Sequence, residues 1–399
     1  MTNQLAPSAV EIHGSYEPRF AAVAEAFAQN FESHGDVGAS VAVTVNGETV
    51  VDLWAGTADP ELGVPWRQDT IVNVWSSTKG PAALCVHILA DRGLLDLDAP
   101  VAAYWPEFAQ AGKAGVLVRW LLSHQAGLPA VDGHLPPGAT LDWDYMVSRL
   151  EEQAPLWEPG TKRGYHAITY GWLLGELVRR VSGKRLGEFF RDEVAIPYGI
   201  DFTIGLPASE DYRTAKFIYP YGVGGVTPID LHPAMYDPNS ISYRAIAGIL
   251  NAPVGVDVNS REWRAGEFPA AGGHGNGRSL AQFYAILACG GELNGRRLIS
   301  CEAIERASTV EVVGTDEFVM LSPAIAHQAL GFNLAQLSTP NDPRPATAFG
   351  GGGAGGSLCF ADPENRLSFG YAMNQAWRMR LDDPDPRGAS LVRAAYKCI

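Results

Sequence analysis

The dipeptide Asn46-Gly47 sits between two runs of strand-forming residues, Ala39–Val45 and Thr49–Ala55. Asn-Gly supplies the two positive-φ positions of a tight turn, so this stretch predicts an antiparallel hairpin. A hairpin cannot cover its own apolar face. The segments that can cover it lie on either side. Upstream, Phe20, Val23, Phe27 and Phe31 recur at spacings of three and four within Tyr16–Glu32, the pattern of an amphipathic helix. Downstream, Ser77–Arg92 carries Leu84, Cys85, Val86, Ile88 and Leu89 nearly all round, which predicts a helix running through the core and stopping at Gly93.

The far end of the chain returns to the same alphabet. Ser357–Phe360 and Leu367–Met373 read as strands around the turn Asp362-Pro363-Glu364-Asn365, and a helix over Gly388–Tyr396 closes the sequence. Between the ends, Trp105–Tyr219 is dominated by helical patterns broken at Pro136-Pro137-Gly138 and Glu158-Pro159-Gly160, and a further helix lies near Leu280–Cys289. Tyr221–Gly277, rich in Gly, Pro, Asn and aromatics, follows neither period. An irregular stretch of that length in a compact protein reads as a pocket wall or lid. Strands at both ends with helices between them predict an α/β fold of the α+β kind. One sheet is expected to be built from both ends, residues 1–104 and 278–399, with a mainly helical insertion over 105–277 that carries the irregular wall.

Charge and missing motifs remove whole classes of function. The 44 acidic residues outweigh 30 Lys and Arg, a net charge of −14, so nucleic acid and membrane surfaces are not expected partners. No apolar run is long enough to span a bilayer, and Met1–Gly14 lacks the basic flank and apolar stretch of a secretory signal. A cytoplasmic location is the expectation. Five scattered cysteines, Cys85, Cys289, Cys301, Cys359 and Cys398, contain no C-x-x-C pair and are expected as reduced thiols. The nine histidines make no metal-ligand spacing with carboxylates, so neither a metal nor another cofactor is expected. No G-x-S-x-G elbow, phosphate-binding P-loop or H-E-x-x-H pair occurs. The cluster Gly350–Gly356 fits a loose G-x-G-x-x-G, but it precedes a strand where dinucleotide binding needs a helix.

Three features remain that could carry chemistry. Ser76-Ser77-Thr78-Lys79 is the only S-x-x-K in the chain; on a helix Lys79 can reach back to the Ser76 hydroxyl, and a lysine in an apolar site loses its proton more easily. The bland alternative is a serine cap with an exposed lysine one turn on. Tyr165, after Trp157-Glu158-Pro159-Gly160 and ahead of the apolar helix Tyr170–Ser182, could project its hydroxyl into a cleft beside a lysine and relay protons. A tyrosine packed by its ring is the alternative. The run Phe349-Gly350-Gly351-Gly352-Gly353-Ala354-Gly355-Gly356-Ser357 exposes backbone N–H groups that could form an oxyanion hole with the N–H of a nucleophilic serine, or it is simply a flexible loop.

Taken together and in this order, the three features resemble the serine β-lactamase and penicillin-binding-protein superfamily, over roughly Gly38 to Asn374. Leu121-Leu122-Ser123-His124-Gln125-Ala126-Gly127-Leu128 is similar to its L-L-T-H-T-S-G-L stretch, and Tyr170–Leu177 to the helix after its tyrosine. The chain looks most like the class C branch and, within that, the family VIII carboxylesterases. The resemblance implies an antiparallel sheet flanked by helices, an inserted helical domain and an active site between them. It assigns catalysis to Ser76, Lys79 and Tyr165, with Gly353 and Ala354 as the oxyanion-binding segment and Gly352 beside them.

Two departures bear on substrate. Where β-lactamases of this branch have Tyr-x-Asn, the third residue is Ala167; where they have Lys-Thr-Gly, the chain has only glycines, with Gly351 at the position many esterase relatives fill with His. An amide clamp and a cation suited to a β-lactam carboxylate are both missing. The balance favours a serine carboxylesterase acting on small or medium acyl esters. A β-lactamase, an amidase, D-aminopeptidase or acyltransferase on the same fold, and a catalytically silent binding protein stay as alternatives. Whether Lys79 or Tyr165 is the primary base is open at this point, since the groups titrate as a unit. His166, beside Tyr165 in an extended loop, is expected to point away from it; His124 is expected to hold its loop, and His274 either lines the pocket or packs a loop.

Overall fold

A computed structural model describes residues 10–133, 135–219, 237–246, 257–319, 325–335, 343–377 and 385–399, with positions 234 and 249. Much of the wall expected over Tyr221–Gly277 lies outside the described residues.

The hairpin anticipated at Asn46-Gly47 is the root of the architecture. Strands β2 (Gly38–Val45) and β3 (Glu48–Asp59) pair antiparallel, and the turn places Asn46 at φ 54° and Gly47 at φ 84°, both in the left-handed region that this turn requires. Preceding them, β1 (Ile12–Tyr16) pairs along β3, which also takes the two-residue β4 (Val64–Pro65). The first helix, α1 (Ala21–Ser33), buries Val23 and Phe27, its expected face. It begins later than expected, because Tyr16 belongs to β1 and Pro18–Phe20 form a 3₁₀ turn.

Short strands β5 (Val72–Asn73), β6 (Thr203–Ile204) and β7 (Gly273–Gly275) form a separate three-stranded sheet in the order β5-β7-β6. A two-stranded ribbon, β8 (Glu292–Leu293) with β9 (Arg296–Arg297), stands apart from both. The main sheet is completed by β10 (Val312–Gly314), β11 (Ala326–Gln328), β12 (Asn333–Leu334), β13 (Phe349–Gly352), β14 (Leu358–Asp362) and β15 (Leu367–Met373). Its order is β1-β3-β2-β15-β14-β13-β12-β11-β10, so the last strand lies against the first hairpin. No described residue of 105–277 enters that sheet.

The pairing of β2 with β15 follows from what they carry. Val41 faces Tyr371 and Val43 faces Phe369, all fully buried, while Thr44 and Ser368 share a buried hydroxyl contact of 2.7 Å. One side of these strands packs beneath the helix Gly277–Ala288, opened by an Asn276–Ser279 capping box. The C-terminal helix Pro386–Tyr396 packs on α1. At its first turn Arg387 is fully buried, bonding Asp36 at 2.7 Å, Asp385 at 2.8 Å and the Gly355 carbonyl at 2.7 Å. Tyr371 donates to Asp36 at 2.7 Å, which completes a network tying the last helix to the centre of the sheet and to the glycine segment.

Helix α2 (Lys79–Asp91) is buried all the way from Lys79 to Leu89, as its composition dictates. Helices α3 (Val118–Leu122), α4 (Trp143–Glu152), α5 (Thr169–Ser182) and α6 (Leu186–Phe190) form the inserted layer, and α2 packs on α5 and α6. Gly183, at φ 73°, stops α5 with a left-handed cap. The start of α2 therefore opens where the helical layer meets β13. Among the described residues no helix is long and apolar enough to cross a membrane.

Candidate active site

Ser76 lies in a 3₁₀ turn, Trp75–Thr78, that leads from β5 into α2. A helix expected from Ser77 onward thus starts with a tighter turn, and three residues per turn put Ser76 and Lys79 in line. Trp75 sits at φ 49°, a left-handed conformation that costs a bulky residue energy and survives only where its surroundings impose it. Ser77, Thr78 and Lys79 are buried, while Ser76 keeps partial exposure. As a first-turn residue Ser76 has no intrahelical acceptor for its N–H.

Lys79 Nζ is 3.2 Å from Ser76 Oγ, 2.7 Å from the Ala167 carbonyl and 2.9 Å from the Ala270 carbonyl. Burial pulls its pKa down from the ordinary lysine value, with Tyr165 acting the other way. Its three N–H donors are matched by the two carbonyls and the serine oxygen, and loss of the proton aimed at Ser76 would turn a lone pair toward that hydroxyl. Tyr165 Oη donates to Ser76 Oγ at 2.9 Å, and the Lys79 ammonium position lies 4.9 Å from the Tyr165 ring. The three residues singled out in the sequence are therefore brought into one hydrogen-bonded group. Ala167 contributes its main-chain carbonyl to this group.

Tyr165 is held by its own backbone. Its N–H donates to Asp316 Oδ2 at 3.0 Å, and Asp316 Oδ1 also takes the N–H groups of Phe318 at 3.2 Å and Val319 at 2.9 Å. Asp316 is 151 positions away, with no motif around it, and the sequence reading missed it. Tyr165 also packs against a small buried apolar cluster of Ala130, Ala245 and Val319. His166 points away as expected: fully buried, it donates from Nδ1 to the Gly164 carbonyl at 2.7 Å and accepts the Leu128 N–H at Nε2 at 2.9 Å. Burial drops its pKa to about 3. His124 holds the loop, its Nδ1 accepting the His166 N–H at 3.2 Å and its carbonyl the Gly164 N–H at 3.1 Å.

The glycine run forms β13 and the turn into β14. Gly353 fits only as glycine, since a Cβ there would come within 2.1 Å of the Val74 carbonyl. Its N–H donates to Ser357 O at 2.8 Å, so within the expected Gly353–Ala354 segment the donor left without a protein partner is the Ala354 N–H. Gly352 ends β13 opposite Leu358. Gly351 is different: a Cβ there would meet nothing within 4 Å, so open space stands at that position of β13. His274 is 1% exposed within β7, its Nδ1 bonded to the Gly272 carbonyl at 3.0 Å, and of its two expected roles it takes the packing one. All five cysteines are free thiols, three of them buried. Among the described residues no group of three or more His, Cys, Asp or Glu is placed to hold a metal ion.

A serine hydroxyl gripped by a buried lysine amine and a tyrosine hydroxyl, at the junction of an antiparallel sheet and a helical layer, defines a serine hydrolase of the β-lactamase-like superfamily. The family profile described as "Beta-lactamase" matches residues 23–393, and the chain belongs to that family. The curated "Esterase/beta-lactamase LipL" of Mycobacterium tuberculosis is 36% identical, over 91% of this chain and 83% of LipL. A solved family VIII carboxylesterase is 42% identical with a TM-score of 0.85, over 98% of this chain and all of that one. A penicillin-binding-protein homologue from Caulobacter crescentus, 38% identical, superposes with the same TM-score of 0.85 over the same shares.

Proposed function

We propose that this protein is a serine carboxylesterase for small or medium uncharged acyl esters. The observation that carries the reading is the Ser76–Lys79–Tyr165 hydrogen-bond group, with open space left at Gly351 on β13. Ser76 Oγ attacks the ester carbonyl carbon as its proton passes to the Lys79 amine. The carbonyl oxygen becomes an oxyanion bonded by the N–H groups of Ser76 and Ala354. When the tetrahedral species collapses, the bond to the alcohol oxygen breaks, and the proton held by Lys79 reaches that oxygen through the Tyr165 hydroxyl. Water then attacks the acyl-enzyme along the same proton path and frees the acid. Lys79 and Tyr165 both reach Ser76 Oγ, and we assign the first proton transfer to Lys79, whose pKa burial lowers. Five free thiols suit a reducing compartment, and we place the protein in the cytoplasm, which cell fractionation can test.

The decisive comparison is kcat/KM for p-nitrophenyl butyrate against nitrocefin on one preparation. A hydrogen bond to a charged group contributes about 1.5–3 kcal/mol, and about 1.4 kcal/mol is tenfold. Without an amide at 167 or a cation at 351, the ester should win by about two to four decades. Gly351→Lys, which the open space admits, should raise nitrocefin turnover. Nitrocefin as the better substrate of the unmodified enzyme would replace this reading with a β-lactamase. Ser76→Ala should abolish ester hydrolysis, and a fluorophosphonate should label the peptide holding Ser76.

A further inference from the structure

The two N–H groups assigned to the oxyanion sit on separate pieces of chain, the 3₁₀ turn ahead of α2 and the turn that follows β13. Neither element fixes their spacing. A set of buried hydroxyls does join the pieces. Ser357 Oγ donates to the Val74 carbonyl at 2.8 Å, and Ser77 Oγ lies 2.9 Å from Ser357 Oγ. The single proton of Ser357 is committed to Val74, so Ser77 is the donor in that second bond. Gly353 closes the loop by donating to the Ser357 carbonyl at 2.8 Å. On the opposite side, Thr78 Oγ1 donates to the Trp75 carbonyl at 2.5 Å and accepts the Gly273 N–H at 2.9 Å. Ser77, Thr78 and Ser357 are all less than 4% exposed, so none of them can meet a substrate. The carbonyls they hold belong to Val74 and Trp75, and Trp75 is the left-handed residue that turns the chain into Ser76.

We infer that Ser357, with Ser77 as its donor, is a positioning residue that sets the spacing between the Ser76 and Ala354 N–H groups. The inference rests on the esterase reading of Ser76. A hydroxyl that served only the fold would change thermal stability and leave the balance between ground state and transition state alone. One that spaces oxyanion donors acts on the tetrahedral species, so it lowers kcat while KM holds.

The test uses the full chain well below its melting temperature, with p-nitrophenyl butyrate as substrate and butylboronic acid as a probe that forms a tetrahedral adduct on serine. Ser357→Ala should lower kcat by about 10–10²-fold, the scale of a displaced rather than deleted donor, with KM within about twofold. Affinity for the boronic acid should fall by a similar factor. Ser77→Ala should move both quantities the same way by less, and Ser357→Thr, which keeps the hydroxyl, should recover most of the loss. Should the threonine variant not fold, the Ser77→Ala pair of measurements carries the comparison. Unchanged kcat in Ser357→Ala, or reduced kcat with boronate affinity intact, overturns the inference. If the fluorophosphonate marks Ser76 in that variant at full stoichiometry, the esterase reading survives its loss. Failure to mark Ser76 in the unmodified protein removes the ground for both.

Discussion

At the scale of single residues, the chemistry of Ser76 depends on a lysine whose charge nothing acidic balances. The bonds of Lys79 run to two main-chain carbonyls and one hydroxyl, and no carboxylate shares in them. Its lowered pKa makes the free base available below the ordinary lysine range. With Lys79 as the base of the proposed mechanism, kcat/KM should rise with pH through that depressed value and then level off. Lys79→Arg keeps a charge that cannot be shed, and it should be as inactive as Lys79→Ala at every pH. Lys79→Ala and Tyr165→Phe should each cost about 10²–10⁴-fold in kcat. Since both serve one proton, the double variant should lose far less than the product of the two. Strict multiplicativity in steady-state kinetics would put them in separate steps.

Among the elements, what could be read from sequence had a side-chain signature, and what was missed lacked one. The hairpin, α2, α5 and β15 announce themselves through turn chemistry or period. By contrast β1, Ile12–Tyr16, has a single apolar anchor in an otherwise exposed run, so only its pairing with β3 reveals it. Ser76, Lys79 and Tyr165 stand in motifs, whereas the acceptors that orient Lys79 are main-chain carbonyls of Ala167 and Ala270, which any residue supplies. Asp316 was invisible for a different reason: its partner is a backbone N–H on a distant loop. It takes three N–H bonds, one from Tyr165 in that loop and two from Phe318 and Val319 in its own turn. Asp316→Ala leaves those donors without a partner, at about 1–3 kcal/mol for a buried group. A lower melting temperature together with a drop in kcat, read by calorimetry and p-nitrophenyl butyrate turnover, is the expected outcome; Asp316→Asn should recover part of both.

For the whole molecule, acid is the predictable stress. Burial holds His87 near a pKa of about 4 and both His166 and His274 near about 3, against an ordinary 6.5. Each is neutral when folded and takes up a proton on unfolding between those limits. Their stability is therefore complete above pH 6.5 and is lost as pH falls toward 3–4, by up to about 1.4 kcal/mol per pH unit for each proton. Urea titrations across that range should show the slope, and His87→Gln should lower it by about one proton. The sheet order carries one more consequence. Gly38 and Asn374, joined by a hydrogen bond of 2.9 Å, are 336 residues apart in the chain. On the ribosome the first hairpin emerges well before β15, which must cover the open side of β2. At about 5–20 residues per second the wait is on the order of tens of seconds. Throughout it, β2 offers an unpaired, apolar edge to any other strand nearby. Nascent chains stalled before residue 367 should therefore be retained by chaperones or aggregate, while those released with the C-terminal helix complete should reach the native state. The edge of β2 is closed only when β15 arrives, and synthesis speed becomes part of how the enzyme folds.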